Sequence, residues 1–103
     1  MNAYLTEDAH LVRSLLPPTA QPPGDDDALF LGYAVLMRAK GLGTTAEDVH
    51  DTWAAWVLGR DPHHPAIVPF DDLPADAQAM DLPYVQAIHA AARQRTADRA
   101  RSR

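Results

Sequence analysis

Residues 27–40, DALFLGYAVLMRAK, form a long apolar run near the middle of the first half of the chain. Acids at positions 25–27 lead into the run, where negative charge favours the N-terminus of a helix. Gly41 follows it and can adopt the left-handed conformation that often ends a helix. The stretch therefore predicts the central, most buried helix, because large apolar side chains cover more than half of its circumference: Leu29, Phe30, Tyr33, Val35, Leu36 and Met37.

Proline and glycine divide the rest of the chain into further elements. Residues 3–16 have apolar side chains at helical spacing and stop at Pro17-Pro18, so they predict a helix followed by a proline-rich, extended connector. Residues 46–58 predict a third amphipathic helix that ends at Gly59. Two capping boxes could start it, at Thr44–Glu47 or Thr45–Asp48, and the first fits the usual preference for glutamate better.

Prolines at positions 62, 65, 69 and 74 forbid a regular helix over residues 60–73. The apolar side chains of Ile67, Val68 and Phe70 nevertheless indicate an ordered loop that is anchored to the core. A short turn from Pro74 and a final helix opened by Asp81 complete the chain. The sequence thus predicts an all-α fold, a small bundle of about four helices with an ordered proline-rich loop.

Length and composition limit the possible functions. A chain of 103 residues suffices for one domain, and the absence of cysteine excludes disulfides, cysteine zinc sites and thiol catalysis. No apolar run approaches the roughly 18 residues of a membrane span, and the N-terminus lacks the pattern of a secretory signal. We therefore expect a cytoplasmic protein without a membrane partner.

Charge is unevenly distributed along the chain. Residues 1–92 hold four basic and thirteen acidic side chains, whereas residues 93–103 hold five arginines and one aspartate. We interpret residues 1–92 as a single helical domain and residues 93–103 as a basic C-terminal tail, whose arginines suit the negative end of a helix dipole. The acidic domain argues against nucleic-acid binding, because it repels phosphate backbones.

Residues 50–70, HDTWAAWVLGRDPHHPAIVPF, contain both tryptophans and three of the five histidines. This segment is either a binding surface made of aromatic ring faces and polar side-chain ends, or a structural element. In the second case Trp53, Trp56 and Phe70 pack in the core and fix the loop against it. Its histidines and aspartates are residue types that bind metals, but they lack a ligand spacing such as HxxxH. We expect no cofactor. Neighbours such as His50–Asp51 could act as acid and base, but no nucleophile motif or phosphate-binding glycine loop accompanies them.

Residues 46–90 resemble the second half of the ryanodine-receptor repeat (RyR) domain, of the stand-alone type found in bacteria and phages. The resemblance rests on one pattern along the chain: His50-x-x-Trp53, Gly59, His64-Pro65-x-Ile67-Val68-Pro69-Phe70-x-x-Leu73, Gln78, Asp81, Tyr84 and Ile88. It implies a helical, non-catalytic sensor module that binds a nucleotide-derived small molecule in signalling or defence. The ligand-binding positions that it implies are His50, Trp53, Trp56, Arg60, His64, Pro69, Phe70 and Tyr84.

A second hypothesis needs no small molecule. A short chain with exposed apolar helical surface can serve as a protein-interaction adaptor or assemble into a homodimer. In either case we expect no enzymatic activity. For a nucleotide ligand, the phosphate would need Arg60, Lys40 or free helix N-terminal amides.

Overall fold

A computed structural model describes residues 3–22 and 26–101 of the protein. Helices and short 3₁₀ turns form its regular structure, and no strand occurs among the described residues. The fold is therefore an all-α bundle of four main helices and one short one, as predicted. The helices are α1 (Tyr4–Ser14), α2 (Asp27–Lys40), α3 (Ala46–Leu58), α4 (Ala75–Ala79) and α5 (Leu82–Arg101).

Helix α2 lies at the centre of the bundle and packs against α1, α3 and α5. Its inward face is buried through Leu29, Phe30, Tyr33, Ala34 and Met37. One detail of the predicted face is wrong: Val35 is 52% exposed, because the three neighbouring helices leave the opposite side of α2 in solvent.

The start of α3 corrects the predicted capping box. Thr45, not Thr44, is the N-cap: its hydroxyl accepts the Asp48 N–H, and the Asp48 carboxylate accepts the Thr45 N–H. Thr44 does not cap the helix: its hydroxyl oxygen is buried without a hydrogen-bond partner, and its carbonyl accepts a 2.8 Å hydrogen bond from His89 Nε2–H. Packing against α5 therefore overrides the local preference for glutamate.

The ends of α2 combine expected and unexpected features. Gly41 has φ 54°, so the predicted positive φ is confirmed, but its ψ of −124° differs from that of the left-handed helical cap that the sequence predicted. At the other end Asp26 is 1% exposed and pairs with Arg13 of α1 instead of capping the helix with its side chain. The predicted role of Asp25 lies outside the described residues, as do Pro23 and Gly24 of the connector.

The proline-rich loop crosses the bundle between α3 and α4. A 3₁₀ turn at Phe70–Asp72 packs against α3, and Gln78 of α4 donates hydrogen bonds to the carbonyls of Phe70 and Leu73. Leu73 is buried, whereas Val68 and Pro69 are exposed. The loop is thus held at its C-terminal end by α4 and forms one wall beside α3.

Helix α5 packs against α1, α2 and α3 and continues through the arginine-rich segment to Arg101. Arg95 of α5 and Arg38 of α2 both bind the buried carboxylate of Asp8 in α1. None of the helices described is long and apolar enough to cross a membrane. The N-terminal half of α5 faces the loop, and this arrangement creates the site described next.

Candidate functional site

A cavity of about 300 Å³ opens between α3, the proline-rich loop, α4 and the start of α5, with α2 as its floor. Every one of these elements contributes to its lining, which is mainly aromatic and apolar and includes two histidines, two tyrosines and one aspartate. The lining residues are Tyr33, His50, Trp53, His64, Ala66, Leu73, Ala77, Met80, Asp81 and Tyr84.

His50 joins α3 to the loop. Its side chain is buried, at 3% exposed, and Nε2 lies 2.6 Å from the carbonyl oxygen of Val68. Because a carbonyl can only accept, Nε2 carries the proton and donates it to this bond. The ring stacks on Trp53 at 5.7 Å between centroids and lies 6.2 Å from the ring of Phe70. His50 therefore both lines the cavity and fixes the height of the loop above α3.

His64 closes the side of the cavity that the loop provides. Its Nδ1 accepts a 3.1 Å hydrogen bond from the backbone N–H of Ala66, so the proton of the neutral ring is on Nε2. The His64 ring meets Trp53 edge to face, at 5.2 Å and 84°. Trp53 is thus held between two imidazole rings and offers a fixed aromatic wall.

Asp81 precedes α5 and provides the only carboxylate among the described lining residues. Its Oδ2 is buried and has no hydrogen-bond partner. Burial raises the pKa of this carboxyl above its usual range, and a positive charge on His50 acts in the opposite direction. A buried acceptor without a donor costs free energy, so Asp81 leaves an unmet hydrogen-bond requirement in the packed wall of the cavity.

Two tyrosines complete the aromatic surface. The rings of Tyr33 and Tyr84 are 5.5 Å apart, and the Tyr84 hydroxyl donates a 2.9 Å hydrogen bond to the carbonyl of Ala20. Burial raises the pKa of both phenols, so both remain protonated at neutral pH. Tyr33 is 1% exposed, so it closes the cavity from beneath, while Tyr84 contributes to the wall, and neither side chain carries a charge.

The structure brings together four of the eight positions named from the sequence: His50, Trp53, His64 and Tyr84. Phe70 lies behind His50, and Pro69 is exposed at the start of the 3₁₀ turn. Trp56 instead lines a separate open groove between α2 and α3, and the Arg60 guanidinium stacks on its ring at 4.3 Å. Lys40, named as a phosphate ligand, binds Asp48 and does not line the cavity.

Sequence reasoning did not place Tyr33 in the site, because Tyr33 lies on the buried face of α2 and was assigned to the core. Asp81 was named only as a helix opener and as part of the RyR pattern. The only signal in the sequence was the hydroxyl of Tyr33 on the otherwise apolar face of α2. The sequence could not show that Tyr33 and Asp81, 48 positions apart, line the same cavity, because this depends on the packing of α2 against α5.

The histidines and aspartates of this region carry atoms of the types that bind metal ions. Across the described ranges, no group of three or more such side chains is arranged to hold an ion. His63, which has no counterpart in the RyR pattern, is exposed, and it does not line the cavity.

Comparison with known families assigns nearly the whole bundle. The model of a family described as a domain of unknown function (DUF7701) matches residues 3–93. The chain belongs to this family. The match runs from the start of α1 into α5 and so includes every residue that lines the cavity. No curated protein and no solved structure matches the chain.

Proposed function

We propose that this protein is a non-catalytic binding module whose cavity holds the flat ring system of a nucleotide-derived small molecule. The observation that supports this most directly is the cavity itself, whose lining combines the rings of Trp53 and Tyr84 with the carboxyl group of Asp81. Aromatic walls with a few convergent polar groups are typical of sites for partly apolar ligands.

The size of the cavity supports one ring system and not a whole dinucleotide. Its volume of about 300 Å³ is at the lower end of the range of roughly 300–1,000 Å³ for small-molecule pockets. The mouth is bordered by Met80, which is 72% exposed. We expect the base to enter past Met80, with the sugar and any phosphate left at the mouth.

The charge of the site supports the same orientation. No lysine or arginine occurs among the described residues that line the cavity, and Asp81 adds a carboxylate. A phosphate would therefore meet no compensating charge inside. The proposal implies that a nucleoside and its monophosphate bind with similar affinity.

One further feature supports binding over catalysis. Among the described residues that line the cavity, none is a serine, threonine, cysteine or lysine. The resemblance of residues 46–90 to the RyR domain, itself a prediction, adds a role in bacterial or phage signalling or defence to the proposal.

The test fills the cavity without removing any of its polar groups. Ala77→Leu places a larger side chain in the lining, whereas Ala79→Leu makes the same change at an exposed position of the same helix. Calorimetric titration with nucleosides, nucleoside monophosphates and cyclic dinucleotides should detect binding to the unmodified protein and to Ala79→Leu. Ala77→Leu should bind at least tenfold more weakly.

Two results would count against this function. One is the absence of heat and of any ligand-dependent rise in melting temperature, with every compound at millimolar concentration. The other is unchanged binding by Ala77→Leu, which would place the ligand elsewhere.

A second candidate, homodimeric assembly, is favoured by the outer face of α2. Leu31 and Val35 are 38% and 52% exposed and lie one turn apart beside the groove that Gly32 and Trp56 line. Sedimentation distinguishes this candidate: a dimer that Val35→Glu converts to a monomer supports it, and a monomer at high concentration removes it.

A further inference from the structure

A basic depression lies where the C-terminal end of α2 meets the C-terminal half of α5, and its volume is about 290 Å³. Its basic lining residues are Arg38 and Lys40 from α2 and Arg95 and Arg99 from α5, and none of the described residues that line it is acidic. The helical rise of roughly 1.5 Å per residue places Arg95 roughly 16 Å along α5 from Tyr84 of the aromatic cavity. The basic depression is therefore a separate site.

Two of the lining arginines are held in place by a buried carboxylate. Asp8 of α1 is 1% exposed, and its two oxygens accept the Nε–H groups of Arg38 and Arg95. The Arg38 guanidinium also lies over the ring of Tyr4, 4.5 Å from its centroid. A guanidinium has five N–H donors in one rigid plane, so binding through Nε leaves further donors on each arginine. Because Asp8 fixes both groups in advance, an anion that binds them loses less free energy in ordering side chains.

Acidic residues balance only part of the positive charge around the depression. Lys40 binds Asp48, and Arg95 and Arg101 both contact Asp98. Together with the buried carboxylate and the other lining arginines, this network has five basic side chains and three carboxylates, an excess of two positive charges. The negative end of the α2 dipole offsets about half a charge. The remaining excess is close to the charge of a phosphate monoester, about −1.5 to −2 at neutral pH.

We propose that the basic depression is a binding site for a phosphate group, either the free ion or the phosphate of a small phosphomonoester. Guanidinium groups suit this ligand, because their parallel N–H groups bind two phosphate oxygens at once. The ligand is small, because the chain as a whole has a formal net charge of −5 and repels a long polyanion. This site does not depend on the function proposed for the aromatic cavity.

The experiment follows glycine amides in a ¹H–¹⁵N correlation spectrum during titration with inorganic phosphate. Gly41 lines the basic depression, whereas Gly32 lines the groove between α2 and α3. Ionic strength is held constant with chloride, because exposed basic groups attract any anion at low salt. The Gly41 signal should shift saturably, with a dissociation constant on the order of 1 mM, while Gly32 stays in place. A second titration with glycerol phosphate distinguishes the two sources: tighter binding than phosphate indicates a phosphomonoester, and weaker binding indicates the free ion.

Arg99→Gln tests whether the shift depends on the depression. Arg99 is exposed and lies outside the ion pairs of Asp8, so its replacement leaves those contacts between the helices intact. Arg93→Gln removes the same charge from an exposed position of α5 that does not line the depression. Arg99→Gln should weaken phosphate binding roughly threefold to tenfold, and Arg93→Gln should bind like the unmodified protein.

Three results would overturn the phosphate site. One is the absence of a saturable Gly41 shift with either compound, and another is equal weakening by Arg99→Gln and Arg93→Gln. The third is binding of a single-stranded oligonucleotide when neither small phosphate binds, which would make the depression a nucleic-acid contact. Adenosine carries no phosphate and should leave Gly41 in place, so failure of this site is distinguished from failure of the aromatic cavity.

Discussion

The carboxylate of Asp8 is 1% exposed, and it binds the guanidinium of Arg38 through one oxygen and that of Arg95 through the other. These three residues belong to α1, α2 and α5, so a single buried charge connects three of the four main helices. The arginines are 41% and 30% exposed, and both can still reach water. Loss of Asp8, the buried partner, should therefore reduce the stability of the fold more than loss of either arginine.

Asp8→Asn should lower the free energy of unfolding by roughly 2–3 kcal/mol, because it leaves two arginines beside a neutral group. Arg38→Gln and Arg95→Gln should each cost less, since Asp8 keeps one partner in either variant. Urea denaturation of the three variants measures this order. A cost for Asp8→Asn below that of both arginine variants would contradict the account.

His50→Ala should lower the free energy of unfolding by roughly 2–4 kcal/mol. The substitution removes the hydrogen bond to Val68 and the ring packed between Trp53 and Phe70. His63→Ala is the matched control, because His63 is exposed and should change stability by less than about 0.5 kcal/mol. Equal effects of the two alanine variants would show that His50 does not hold the loop.

Asp81→Asn should raise the melting temperature of the free protein at neutral pH. Burial raises the pKa of Asp81 in the folded state, so the protonated form stabilises the fold at low pH and this contribution is lost as the pH rises through that pKa. Asparagine resembles the protonated form, and its advantage should therefore shrink as the pH is lowered towards 4. A gain that is independent of pH would indicate another cause.

At the scale of the helices, Gly32 shows why a helix-breaking residue is kept in the middle of α2. A Cβ built at this position would lie 2.9 Å from the Cγ2 methyl group of Thr52 in α3. Thr52 cannot easily turn away, because its hydroxyl donates a 2.9 Å hydrogen bond to the carbonyl of Asp48. Close packing of α2 on α3 thus offsets the cost of glycine in a helix.

Gly32→Ala should therefore destabilise the protein by roughly 1–2 kcal/mol despite the better helix propensity of alanine. Thr52→Ser removes the obstructing methyl group and keeps the hydroxyl. In a Thr52→Ser background, Gly32→Ala should be neutral or stabilising by up to about 1 kcal/mol. Thermal unfolding of the four proteins measures this coupling, and additive effects would refute it.

Helix boundaries were the most predictable feature of the fold. The limits of α2 and α3 agree with the expected residues 27–40 and 46–58, because apolar periodicity and glycine at the ends act locally. The choice of Thr45 over Thr44 was not predictable from local preference. It depends on His89, which lies more than forty residues away and binds the Thr44 carbonyl.

At the scale of the whole molecule, the cavity exists because the loop does not lie flat on α3. His50 forms a hydrogen bond with the carbonyl of Val68, and Gln78 of α4 forms hydrogen bonds with the carbonyls of Phe70 and Leu73. The space between these contacts is the cavity, which Asp81 also lines. Composition and spacing indicated aromatic residues in this region. The sequence could not show that Trp53 and Trp56, three residues apart on one helix, line different spaces.

The two tryptophans provide the most direct test of the central claim, that a ligand occupies the cavity beside Trp53. Each indole gives its own N–H signal in a ¹H–¹⁵N correlation spectrum, and Trp53→Phe and Trp56→Phe assign the two. Titration with guanosine monophosphate should shift the Trp53 signal saturably and leave the Trp56 signal in place. A shift of Trp56 alone, or of neither indole, would contradict the account.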